Sequence, residues 1–181
     1  MVKSAYSFAT KKEKVESHII VVWVDNESGV LARVVGLFSG RGYNIDSLAV
    51  AEVDKKKNIS RITISTSGTQ QVLQQIKLQL GKLVPVHKVA DFPANKKTLL
   101  REMALIKIVS PKTQLEKAKK LCKKYKYTVI DRTQKSYVFE VSALKKEIDL
   151  LLKKLQPLGL ASVSRTGVVA MTKGSEIFKQ N

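Results

Sequence analysis

The turn Asp25-Asn26-Glu27-Ser28-Gly29 and the segment Val30-Leu31-Ala32-Arg33-Val34-Val35-Gly36-Leu37-Phe38 hold the residues best placed for chemistry in this chain. His18 to Val24 is a nearly unbroken apolar run with β-branched residues. Leu31, Val34, Val35 and Phe38 then recur at helical spacing, so a strand gives way to a helix across Asn26 to Gly29. The first turn of a helix has backbone N–H groups without intrahelical partners and the positive end of the peptide dipole. Such a terminus suits a carboxylate or a phosphate, and Gly29 lets a ligand come close to the backbone. The plainer alternative is an ordinary N-cap, because Asn, Ser and Gly are preferred there for backbone satisfaction alone.

Other chemistry is hard to assemble. His18 and His87 are the only histidines, and neither has a cysteine or carboxylate at metal-ligand spacing. Cys122 is the only cysteine, which excludes an internal disulfide and a thiolate cluster and fits a reducing, cytoplasmic setting. Asp25 and Glu27 alternate at a strand end, and spacing alone gives them no acid–base role. With no phosphate loop, nucleophile elbow or dinucleotide glycine fingerprint, the sequence argues for binding and against catalysis, and no metal is expected.

Around that turn the periodicities read strand, helix, strand, strand, helix, strand over residues 18–25, 30–41, 44–54, 59–67, 69–80 and 83–92. Ile62 and Ile64 alternate with Arg61, Thr63 and Ser65, as in a half-buried antiparallel strand. Val72, Leu73, Ile76 and Leu80 make one helix stripe, with glutamines on the other side. The same order returns over 102–109, 112–126, 127–132, 136–141, 144–155 and 160–172. The fold class is therefore α+β, two ferredoxin-like βαββαβ units in tandem. The boundaries read as a disordered basic tail over 1–17, a first domain over 18–93, a polar linker over 94–101, a second domain over 102–176 and a tail over 177–181. The linker predicts that the first unit folds when cut free.

The formal charge is +18, and it is unevenly placed: residues 1–93 hold 13 basic and 8 acidic side chains, residues 94–181 hold 20 and 7. Seven lysines fall between Lys112 and Lys126, on the solvent side of a helix whose apolar stripe is Leu115, Ala118, Leu121, Cys122 and Tyr125. A domain with pI near 10.0 can attract nucleic acid or an acidic partner. The alternative function is thus a basic ferredoxin-like nucleic-acid-binding protein, with Tyr137 and Phe139 alternating on one strand as base-stacking aromatics do. Against it, the glycine of that pattern is missing and Leu105-Ile106-Lys107-Ile108 offers no second aromatic strand. Met1 to Ser17 has no hydrophobic core for secretion, and its basic, Ser- and Thr-bearing composition leaves a plastid setting open. No apolar run approaches the roughly 20 residues that span a bilayer, so no membrane association is expected.

Taken at full length, NESGVLARVVGLFSGRGYNIDSLAV resembles the ACT domain of the acetolactate synthase (acetohydroxyacid synthase) small regulatory subunit family. The resemblance continues through Ser60-Arg61-Ile62-Thr63-Ile64, the helix from Val72 to Leu80, Arg101 to Lys107, Ile130-Asp131, Tyr137 and Arg165 to Ala170, covering about residues 18 to 176. It implies a noncatalytic homodimeric subunit of branched-chain amino-acid biosynthesis. Such a subunit binds the catalytic large subunit, raises its activity and confers feedback inhibition by a branched-chain amino acid, usually valine. Thiamine diphosphate, magnesium and FAD would sit on the catalytic subunit and no cofactor on this chain. Family precedent places the effector across a dimer interface. The amides of Gly29, Val30 and Leu31 would meet its carboxylate, and the side chains of Asn26 and Asn44 with the carbonyl of Ile45 its ammonium group. Leu31 and Ile45 would supply apolar contact. Ala32 stands where the family often has Ser, which leaves the strength of inhibition open.

Overall fold

The computed structural model describes residues 15–92 and 98–175. In the first half, β1 (Glu16–Asp25), α1 (Val30–Ser39), β2 (Ser47–Asp54), β3 (Ile59–Gly68), α2 (Gln70–Leu80) and β4 (Val86–Phe92) follow one another as the periodicity predicts. The strands form an antiparallel sheet in the order β2-β3-β1-β4. β1 lies centrally, with Ile20 opposite Ile64 of β3 and Asp91 of β4. Both helices cover one face, where Ile20, Val22, Val24, Val34, Phe38, Ile62, Ile64 and Ile76 make a core.

The second half repeats the pattern. β5 (Thr98–Val109), α3 (Lys112–Cys122), β6 (Lys126–Arg132), β7 (Ser136–Ala143), α4 (Lys145–Leu155) and β8 (Leu160–Arg165) build a sheet in the order β6-β7-β5-β8. Ile106, Ile108, Leu115, Phe139, Ile148 and Leu151 fill the space between this sheet and its helices. A short β9 (Val169–Thr172) leaves that sheet and pairs with the beginning of β5, from Thr98 opposite Thr172 to Arg101 opposite Val169.

Several expected boundaries move. Of the linker placed at 94–101, Thr98–Arg101 are strand, because β9 supplies their ladder partners; residues 94–97 lie outside the described residues. The tail placed at 1–17 yields Glu16 and Ser17 to β1, opposite Gly68 and Ser67; residues 1–14 and the tail over 177–181 are likewise outside. The strand expected over 160–172 is two strands, broken at Thr166-Gly167-Val168, where Gly167 has φ +78. The helix expected over 112–126 stops at Cys122, and the strand expected from residue 44 starts at Ser47.

The two units share a third core. Ile19, Val21, Trp23, Ile59, Ala90 and Phe92 point from the first sheet away from its helices and are covered by Val168 and Ala170, with Leu100 packed alongside. Arg61 crosses this back face with its guanidinium 5.3 Å from the Trp23 ring centre and 5.8 Å from that of Phe92. It donates to the carbonyl of Ala170, and burial holds its pKa below the ordinary arginine value. The unbroken apolar run of β1 thus has a physical reason, since a strand buried on both faces cannot alternate.

Candidate functional site

Gly29 starts α1 in the left-handed region, φ +84 and ψ −9, a conformation that costs a side-chain-bearing residue about 1 to 2 kcal/mol. No side chain caps this helix; the N–H of Val30 reaches the carbonyl of Glu27 only at 3.4 Å, and that of Arg33 closes the first helical bond to Gly29 at 3.0 Å. Leu31 and Ala32 lie in the first turn, whose amides have no intrahelical acceptor. By contrast, α2 has the Thr69 hydroxyl accepting from Val72 at 3.4 Å. A side chain built on Gly29 would meet nothing within 4 Å, so the turn faces open space. The Val30 side chain is in the core, whereas Leu31 is 41% exposed.

Asn26 is fixed from two sides. Its N–H donates to the Asn58 carbonyl at 2.7 Å, the Asn58 side chain returns a bond to the Asn26 carbonyl at 3.2 Å, and the Ser60 hydroxyl donates to Asn26 Oδ1 at 3.0 Å. Asn58 takes φ +52 to close this turn, a position Asn tolerates better than most residues.

Asn44 and Ile45 sit elsewhere in the first unit. The Asn44 carbonyl accepts from the buried Thr66 hydroxyl at 2.6 Å, and its side-chain amide donates to Asp46 Oδ1 at 2.6 Å. Ile45 packs against the first core. Asp46 in turn accepts from the Ser67 hydroxyl at 3.0 Å, and its N–H donates to the Ser65 carbonyl at 2.8 Å. Asp46 was absent from the expected set. It is an exposed carboxylate beside Asn44, suited to an ammonium group, and its position two residues further along the same loop was the available signal.

The expected residues therefore form two groups. Asn26, Gly29, Val30 and Leu31 lie at the end of the sheet where β1 Asp25 pairs with Ile59; Asn44 and Ile45 lie at the other end, beside Ser65 and Thr66. Residues 59 and 65 are six apart on β3, about 20 Å at 3.3 Å per residue, too far for one small ligand to touch both. β2 runs between those ends and is an edge strand, with Val50 and Val53 exposed.

Tyr137 and Phe139, the aromatics of the nucleic-acid alternative, face the helices instead of solvent. They are 2% and 0% exposed and pack edge to face at 5.9 Å, so they cannot stack on bases. Among the described residues no group of three or more His, Cys, Asp or Glu is placed to hold a metal ion. No helix among them is long and apolar enough to cross a membrane.

A four-stranded antiparallel sheet of this order with two helices on one face is a ferredoxin-like unit, and residues 20–88 match the family described as AHAS small subunit-like ACT domain, which makes this unit an ACT domain. Residues 101–174 match the one described as small subunit of acetolactate synthase. The chain belongs to the acetolactate synthase small-subunit family. It is 36% identical over 171 residues to the acetolactate synthase small subunit of Aquifex aeolicus, covering 94% of this chain and 88% of that one. It is 38% identical over 162 residues to the acetolactate synthase isozyme 3 small subunit of Salmonella typhimurium, covering 89% and 98%. The crystal structure of the acetolactate synthase small subunit from Thermotoga maritima superposes with a TM-score of 0.80 at 30% identity, covering 89% of this chain and 99% of that one.

Proposed function

We propose that this chain is the noncatalytic regulatory subunit of acetolactate synthase, acting as a homodimer that senses a branched-chain amino acid, with valine the first candidate. It binds the catalytic large subunit, raises its activity and makes it responsive to the end product. Thiamine diphosphate, magnesium and FAD belong to that catalytic partner. The lone, buried Cys122 suits a reducing setting such as the cytoplasm or a plastid.

The observation that carries this reading is the split of the site. Helix amides that suit a carboxylate stand at one end of the first sheet, and the Asn44 loop that suits an ammonium group stands at the other. β2 connects the two ends and has a free edge. If two copies join through antiparallel β2 edges, the start of each β2 lies beside the end of its partner's, so each Asn44 loop meets the Gly29 turn of the other copy. One amino acid then bridges two protomers, with Leu31 and Ile45 flanking its side chain. Binding favours that arrangement over others, which is the differential affinity that feedback requires.

The test is reconstitution with the catalytic subunit across a valine titration. Gly29→Asp places a negative charge where the carboxylate docks and should abolish inhibition while leaving activation. Gly29→Ala carries the same backbone strain without the charge and should retain a response. Asn44→Ala should weaken valine by roughly ten- to a hundredfold, the loss of about 1.5 to 3 kcal/mol for one hydrogen bond to a charged group. Inhibition by valine that is unaltered in Gly29→Asp would sink the site. A strictly monomeric chain in sedimentation, with and without valine, would sink the dimer.

A further inference from the structure

The helices of the second unit and the turn from α3 into β6 hold eleven lysines: seven from Lys112 to Lys126, then Lys145, Lys146, Lys153 and Lys154. Nine of them are exposed and the other two, Lys119 and Lys145, are half-buried. No ion pair among the described residues involves any of them. The three acidic residues of α3 and α4 are committed elsewhere. Glu116 accepts the Tyr137 hydroxyl at 2.9 Å, Glu147 accepts the Leu144 N–H at 2.8 Å, and Asp149 accepts from Arg165 at 2.6 Å. Hydrogen bonds from neutral donors leave the charges of Glu116 and Glu147 in place, and Asp149 alone is ion-paired, so eleven lysines face three carboxylates and the layer presents a large net excess of like charges that repel one another.

We propose that this lysine face is an electrostatic docking surface for an acidic protein surface, carried by the catalytic subunit. The inference rests on the regulatory-subunit reading above. Several features favour an acidic protein over a nucleic acid. The charges are lysines, compact and strongly hydrated, and neither helix has an arginine to fork onto a phosphate. The face is the helical one, whereas nucleic-acid readers of this fold use the opposite, sheet face with stacking aromatics. Leu150 on α4, 55% exposed, offers little apolar anchorage, so the surface acts chiefly on encounter and orientation.

Such steering changes association rates by about 10- to 1000-fold and fades with salt. The experiment measures association and dissociation of the full chain with the acetolactate synthase catalytic subunit of the same organism. Salt runs from about 20 mM to about 500 mM, across which the screening length falls several-fold. The variant combines Lys117→Glu, Lys120→Glu, Lys124→Glu and Lys153→Glu, all at exposed positions, with its thermal melt compared to the parent. We expect association to slow at least tenfold at low salt, dissociation to change little, and the difference to close at high salt. The corresponding Lys→Gln variant should fall between. Parent-like association of the charge-reversed chain at low salt would overturn the proposal, as would a loss that is the same at every salt. Tighter binding to a single-stranded RNA or a DNA duplex of about 20 nucleotides than to the catalytic subunit would reassign the surface to nucleic acid. A parent chain that fails to bind the catalytic subunit at any salt would overturn the regulatory reading itself.

Discussion

Removing residues 98–181 would strip Leu100, Val168 and Ala170 from the back of the first sheet, leaving Ile19, Val21, Trp23, Ile59 and Phe92 open to water. Each of these five is now at most 6% exposed. Full burial of such side chains stabilises by about 1.5 to 3 kcal/mol each, so returning half of each to water costs about 1 kcal/mol per residue, about 5 kcal/mol together. A unit of this length has a total stability of about 4 to 11 kcal/mol. The fragment should therefore be marginal, in contrast to the separable unit that the polar linker predicts. Its melting point should lie at least about 20 °C below that of the full chain, since 1 kcal/mol is worth about 4 to 8 °C at this size. The assay is thermal denaturation followed by circular dichroism, with binding of a hydrophobic dye to report the uncovered face. A fragment that melts cooperatively within a few degrees of the full chain and binds no dye would refute this reasoning.

Two further outcomes are expected. Arg165 grips Glu102, itself 3% exposed, through two bonds of 2.7 Å, so Arg165→Met should destabilise by about 3 to 5 kcal/mol because it strands a buried carboxylate; the double variant with Glu102→Met should recover most of the loss in urea denaturation. Cys122 is buried and its thiol is pushed up to about 12 from 9.0 by desolvation, so it should resist alkylation until the protein unfolds; because the folded value is the higher one, its contribution to stability should be complete below about pH 9 and decline as pH rises toward about 12, as read from urea midpoints of the parent against Cys122→Ser.

Local period and turn chemistry were enough to locate the four α-helices among the described residues and most strands of both sheets, because each helix has one apolar stripe and most reversals hold Gly, Pro or Asn; the turns over 123–125 and 133–135 and the junction at Leu144 hold none and were read from the change of period alone. Long-range register was not legible. Thr98-Leu99-Leu100-Arg101 has no clean alternation, and its strand character comes from β9, some seventy residues later. Val168 and Ala170 read as the continuation of β8 because nothing local shows that the chain crosses to the other sheet. One signal of the third core was present in β1, whose odd and even positions are both apolar from Ile19 to Val24. For the candidate site, the resemblance supplied the residues, while their division between opposite ends of the sheet follows from strand length and direction. Asp46 was overlooked because an Asp after a turn is ordinary turn chemistry.

β5 is one continuous strand of twelve residues that serves two masters: Thr98–Arg101 ladder with β9 against the back of the first sheet, and Glu102 to Val109 lie at the centre of the second. Mechanically it is a stiff axle, laddered into the second sheet at one end and, with β9, seated by side-chain packing on the first sheet at the other. A flexible tether would let one unit swing while the other stayed still, whereas turning the first sheet against this strand must pull Leu100, Val168 and Ala170 away from its apolar back face. A rearrangement of two copies at the β2 edge would therefore carry the lysine-rich helices with it as a rigid arm, and displacement at the first unit would grow with distance along the second.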